Sequence, residues 1–261
     1  MRLSQGLVTG VAGISFALMT APQIYGTPVS GTFDIAGLGG AQVGATTLTF
    51  SPCVPNASLG VTCTGVTDSG SFGITGATGD FGGLVGTGGY IHDLNSAAQP
   101  INQMFSLPNF ITFTGSDIQL ELQFIFTGVD PQASCLAAPA PGQTCTPVVP
   151  ALVTPANPGG LSPYNLQNTA GRGSTASFSV MGIANHGDGE MNAFTGQFTA
   201  QFNVPYQTLL TELASGTLPR ESYSATFTVT PIPEPGTASL FIGAGLILVG
   251  KMFSRRALKR N

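Results

Sequence analysis

The chain has 261 residues, of which only 8% are charged, while 36 Gly and 19 Pro make it rich in turn formers. Between residues 27 and 250 the only bases are Arg172 and Arg220. Over residues 27–230 they face eleven of the 12 Asp/Glu, so this stretch carries about −9. Nothing there neutralises phosphates, which excludes nucleic acid as a partner. The length suits one large all-β domain with enough apolar residues for a core.

The N-terminus places one base, Arg2, ahead of an apolar run over residues 7–19. That run is the length of a signal-peptide core and too short to span a bilayer. Pro22 disfavours cleavage after Ala21, so the predicted signal peptide is 1–26, with cleavage after Gly26.

From residue 27 to 230 the dominant pattern is strict alternation. "ATTLTF" (residues 45–50) is its first instance, and "TDSGSFGITGATGDFGGLVGTGG" (67–89) reads as two short strands with Gly-rich turns. In "DIQLELQFIF", Leu120, Leu122, Phe124 and Phe126 share one face, with Gln119, Glu121 and Gln123 opposite. "STASFSV" (174–180) behaves likewise. So does "TGQFTAQFNV", where Phe198, Ala200, Phe202 and Val204 alternate with polar residues. "ESYSATFTVT" repeats it with Tyr223, Ala225, Phe227 and Val229. Period two means strands buried on one face and wet on the other, hence antiparallel sheets. Eight to ten such strands predict an all-β antiparallel β-sandwich of jelly-roll type. "VPYQTLLTELASG" is the exception. Leu209, Leu210 and Leu213 recur at helical spacing between Pro205 and Gly216, so one short helix is expected, its stripe covering the core.

Residues 131–163 carry many prolines and little periodicity, and read as a Pro-rich surface insertion loop serving as a spacer or a contact loop. The four cysteines fall into two equally spaced pairs. Three connectivities are open to them; the local one, Cys53–Cys63 and Cys135–Cys145, is the preferred expectation for an exported chain. Zinc is the rival reading, but there is no C-x-x-C spacing and the chain has only 2 His.

His92 precedes Asp93, and His186 lies near Asp188 and Glu190. A His with an acid is half of a triad, yet no serine occupies a G-x-S-x-G elbow, so no catalytic residue is assigned. In "NHGDGEMN", Asn185, Asp188, Glu190 and Asn192 offer oxygens within eight residues. They form a weak calcium candidate, set against an ordinary tight turn between strands. No cofactor is expected.

The C-terminus runs from Pro233-Glu234-Pro235-Gly236 into an apolar segment, about 237–253 with Lys251 snorkelling near its end. A basic tip containing Arg255 and Arg256 follows. Two prolines two apart keep the segment before the span extended, a form that a protease-like active site can grip. Bases after a span favour the cytoplasmic side, consistent with an exported body. Extended Pro-Glu-Pro, single apolar helix and Arg-rich tip, in that order, resemble the PEP-CTERM sorting signal of Gram-negative bacteria. The resemblance covers 231–261. It implies recognition by an exosortase after export, transient inner-membrane anchoring through the C-terminal helix, and association with the cell surface or an exopolysaccharide biofilm matrix. It implies no activity for the body.

The sequence therefore predicts a non-enzymatic surface or matrix protein. The alternative is a lectin-like glycan-binding sandwich, calcium-assisted, which would display exposed aromatics over a groove.

Overall fold

The computed structural model describes residues 28–186 and 190–232. The expected signal peptide 1–26, the Pro233–Gly236 motif, the 237–253 segment with its basic tip, and Asp188 lie outside the described residues. Among the described residues no helix is long and apolar enough to cross a membrane.

The strands, in chain order, are β1 (Gly31–Gly37), β2 (Ala41–Val43), β3 (Thr47–Thr49), β4 (Ser69–Ala77), β5 (Gly88–His92), β6 (Leu94–Asn95) and β7 (Leu107–Phe113). There follow β8 (Gln119–Ile125), β9 (Thr144–Cys145), β10 (Asn165–Asn168), β11 (Ser174–His186), β12 (Glu190–Phe202), β13 (Arg220–Glu221) and β14 (Tyr223–Pro231). The one α-helix among the described residues, α1 (Tyr206–Ala214), separates β12 from β13.

The predicted alternation is present in most strands. In β8 a register shift opposite Met181 and Gly182 ends it after Leu122, so that Ile125 is buried, Phe124 half-buried and Phe126 exposed. The alternation does not build a sandwich. Eight strands pair in the order β12-β14-β1-β4-β5-β7-β8-β11, and β11 pairs with β12, so the ring closes. Each wall strand neighbours the next wall strand in the chain, and all these pairings are antiparallel. The architecture is thus an up-and-down eight-stranded barrel, without the crossovers of a jelly roll. Period two marks a buried face and a wet face in either architecture, which is why the alternation alone pointed equally to a sandwich. "ATTLTF" is not a wall strand at all: its β3 belongs to a small sheet, β13-β2-β3-β6, built from the chain just beyond β1, β5 and the start of β14.

An eight-stranded barrel has an interior just wide enough to be filled by side chains. Here phenylalanines fill it. Phe33 is fully buried, its ring 4.7 Å from Phe81, 5.1 Å from Phe113 and 4.8 Å from Phe227. Phe194 and Phe198 extend the cluster through Phe227. The rings need bare backbone opposite them. A Cβ on Gly196 would stand 2.4 Å from the Phe227 ring, and one on Gly89 2.5 Å from Phe72. In β7 a register shift near Asn109, which adopts φ 56°, leaves the adjacent Phe110 and Ile111 both fully buried.

The two ends of the barrel differ. At one, the starts of β1 and β4's neighbouring turn meet the end of β14, and a 3₁₀ turn at Gly79–Leu84 brings Phe81 into the interior. Asp80 fixes that turn by accepting from the Ser30 amide at 2.7 Å. At the other end β11 outruns its neighbour. Val180–Asn185 pair with β8, whereas Ser174–Ser177 pair with β10, which continues to β9. The small sheet, α1 and the Pro-rich insertion gather around this extension. Arg220, one of two bases in the middle of the chain, clamps it by donating to the carbonyls of Gly39, Gly40 and Ser51 at 2.9, 3.2 and 2.6 Å.

Both expected disulfides are formed, Cys53–Cys63 and Cys135–Cys145. The first braces a loop that lies on the outside of β4 and β5. There Ser71 Oγ bonds both the amide and the carbonyl of Val54 at 2.8 Å, and Tyr90 donates to the Thr62 carbonyl at 2.6 Å. The second lies inside the insertion.

Candidate functional site

The insertion, expected to be little more than a spacer, is an ordered wall. It contains 3₁₀ turns at Gln132–Leu136 and Pro150–Leu152, the strand β9, and bridges Val148↔Leu161 and Thr154↔Asn157. Side chains replace the periodicity that the sequence lacks. Buried Asn157 donates to the carbonyls of Leu152 and Leu161 at 3.2 and 2.8 Å and accepts from the Leu161 amide at 3.1 Å. Buried Thr146 donates to Asn165 Oδ1 at 3.1 Å and accepts from the Asp130 amide at 2.9 Å. Cys145 is fully buried, so the second disulfide ties the first 3₁₀ turn to the sheet.

Helix α1 closes over this wall. Pro205 precedes its first turn and Gly216, at φ 84°, follows its last, as the sequence led one to expect. Buried Asn168 of β10 accepts from the Tyr206 amide at 3.0 Å and donates to Gln207 Oε1 at 3.0 Å, and Gln207 in turn donates to Gln143 at 3.1 Å. Tyr206 donates its hydroxyl to the Ser134 carbonyl at 3.0 Å. These bonds fix helix, insertion and β10 as one body, but they do so at the helix start. Further along, Leu209 is buried while Leu210 and Leu213 are half-buried, because the stripe faces an empty space and not a filled core.

That space is a cavity of about 600 Å³ beneath α1. Its floor is Leu166, Ala176 and Phe202, its roof Leu209, Leu210 and Leu213. The insertion contributes Cys135, Leu136 and the run 147–150, and the β2–β3 turn contributes Gly44 and Ala45. Among the described residues no charged side chain lines it. The polar side chains are those of Gln132, Ser162 and Tyr164. Ser162 Oγ already accepts from the Tyr164 amide at 3.2 Å. The Tyr164 ring packs edge-on against Phe178, 5.7 Å between centroids, and burial pushes its hydroxyl pKa well above the ordinary phenol value. It stays a neutral O–H donor at any physiological pH. Such a space, apolar with a few placed polar groups, has the size and lining of a small-molecule site.

The residues singled out by motif fall elsewhere and do not converge. Asp93, beside His92, accepts from the amides of Phe50 and Ser51 at 2.6 and 2.9 Å and so serves the backbone. His186 meets Asp117 of the β7–β8 turn, Nε2 to Oδ1 3.0 Å, a partner its own neighbourhood in sequence did not suggest. In the candidate calcium loop, Asn192 stands opposite Ala184 on the buried face of the β11–β12 ribbon, and the strand parity puts Asn185 on the other face. These two described members therefore do not share a site, and among the described residues no group of three or more His, Cys, Asp or Glu is placed to hold a metal. The aromatic platform expected of a lectin is not found either: among the described aromatic residues Phe126 alone is exposed, at 38%. The cavity was not legible in the sequence. Its one signal was the coincidence of a Pro-rich, disulfide-closed insertion with a lone amphipathic helix.

No protein-family model, no curated protein and no solved structure matches this chain.

Proposed function

We propose that this is an exported, disulfide-braced barrel that acts at the cell surface or in the extracellular matrix, delivered there through its C-terminal segment. The two disulfides carry the reading: both close short local loops, and such bonds persist in oxidising compartments outside the cytoplasm. The acidic, almost base-free body is consistent with an exposed module that stays soluble, and with one that does not bind nucleic acid. On this reading residues 1–26 direct export. Pro233, Glu234, Pro235 and Gly236 form the sorting motif read by an exosortase. Lys251, Arg255 and Arg256 hold the tail's cytoplasmic end until processing. The barrel then serves as a binding or matrix module, with exopolysaccharide as a matrix partner, and has no catalytic role.

The test is the intact mass of the protein recovered from the envelope and the matrix of its native bacterium. The expected species begins near Thr27 and ends between Pro233 and Gly236. A species that retains residues 241–261 overturns sorting and makes the tail an anchor.

A further inference from the structure

The cavity beneath α1 is more than a packing fault. Close-packed interiors hold few voids larger than a water molecule, and the barrel interior of this same chain obeys that rule. A space of about 600 Å³ is roughly four times the ~150 Å³ cavity known to stay dry and bind benzene, so it has room for a molecule of about 20–24 non-hydrogen atoms. Its mouth is unusual for a solvent-facing surface. Leu136 lines it at 96% exposure and Val148 at 47%, both from the insertion. Exposed apolar rims around an apolar hollow mark ligand sites.

We propose that this cavity binds one neutral, lipid-like molecule whose single hydrogen-bond acceptor meets the Tyr164 hydroxyl. The lining dictates the class. With no charged side chain among its described residues, a carboxylate or ammonium inside would be desolvated without a partner, so the ligand is uncharged. With a lining that is mostly apolar, its bulk is hydrocarbon. Tyr164 lines the cavity, and its hydroxyl, kept neutral by burial, is a donor that selects an ester, ketone or ether oxygen. The bonds of Asn168, Gln143 and Gln207 hold the walls apart, which preserves the space before the ligand arrives. This assignment rests on the cavity and is independent of how the chain is delivered.

Diphenylhexatriene, which is uncharged, free of polar atoms and fluorescent only in apolar surroundings, is the reporter. The expected result is saturable uptake of one probe per chain by the disulfide-bonded protein, displaced by methyl palmitate. Palmitate itself should compete at least about tenfold more weakly at pH 8. Leu210→Trp and Ala176→Phe, which fill the space from roof and floor, should each abolish uptake while the far-ultraviolet spectrum is kept. Tyr164→Phe should weaken methyl palmitate about fivefold more than it weakens the probe, and equal weakening of both overturns the role of the hydroxyl. The proposal fails if no saturable uptake occurs, if uptake persists in both folded filling variants, or if palmitate competes as well as its ester. It also fails if the protein dimerises without taking up probe and the filling variants break the dimer, since the cavity is then an interface between copies.

Discussion

Phe33→Ala is the substitution that most directly probes whether the barrel is a filled core. The Phe33 side chain is fully buried and touches three rings, those of Phe81, Phe113 and Phe227, at 4.7–5.1 Å. Its strand is hydrogen-bonded on both sides, to β14 and β4, so the wall is not free to collapse into the vacated space. Truncating a buried Phe costs about 3–5 kcal/mol, and poor collapse places this site near about 4–5 kcal/mol. That is about a quarter or more of the stability of a typical domain, about 5–15 kcal/mol. Guanidinium unfolding followed by circular dichroism, with disulfides intact, measures it as a lower midpoint at constant slope. The stacked partner supplies an internal check. In a double-mutant cycle with Phe227→Ala, the coupling should reach about 0.5–1.5 kcal/mol. Phe33→Leu gives a smaller loss in the same direction should the alanine variant not fold. A loss below about 2 kcal/mol for Phe33→Ala, with no coupling to Phe227, would refute the filled-barrel reasoning.

Two further outcomes follow from features at the other end. Each disulfide joins cysteines 10 residues apart, so loop-closure entropy assigns each about 2.7 kcal/mol of stability. Replacing either pair by serine should lower the unfolding free energy comparably, but only Cys135→Ser/Cys145→Ser should also weaken diphenylhexatriene uptake. Equal effects of the two pairs on uptake would show that the insertion does not form the cavity wall. Burial raises the pKa values of Tyr164 and Tyr223 above the ordinary value near 10, and Tyr223 is pushed further by the charge of Asp93. The folded protein therefore keeps both protons where the unfolded chain releases them. The stabilisation is full below pH 10 and is lost as the pH rises above it, by up to about 2.7 kcal/mol per unit for the two groups together. Urea midpoints measured from pH 8 to 11.5 should fall above 10, and less steeply in Tyr164→Phe or Tyr223→Phe. A flat profile would contradict the burial of these hydroxyls.

The strands were legible because each exposes one face to water. Gln119, Glu121 and Gln123 sit between buried Leu120 and Leu122, and polar Ser224, Thr226 and Thr228 between buried Ala225, Phe227 and Val229. How the strands close was not legible, since a sandwich and a barrel impose the same period. The small residues opposite the rings were the available clue: Gly196 and Gly89 stand where a barrel of this size leaves no space beside Phe227 and Phe72. The local cysteine pairing was legible from the equal spacing and from the expectation of export. The site was not, because its geometry comes from tertiary bonds. Asn157 and Thr146 build order into a segment with no period, and Asn168 reaches α1 across 38 residues. The histidines misled for the converse reason: His186 finds its acid, Asp117, 69 positions away in the chain.

The barrel has a direction. Gly31 of β1 lies opposite Val229 of β14, so these two strands approach and leave the wall side by side at the Phe81 end. From there to the level of Tyr223, where the cavity end begins, β14 runs six residues, or about 20 Å. Anything joined beyond either strand, whether a membrane, a glycan sheet or a sensor chip, would hold the domain by its Phe81 end, away from the small sheet and α1. Joining the two strands directly and opening the chain elsewhere should give a permuted protein with the same display. The wall would then act as a spacer between the point of attachment and the cavity end.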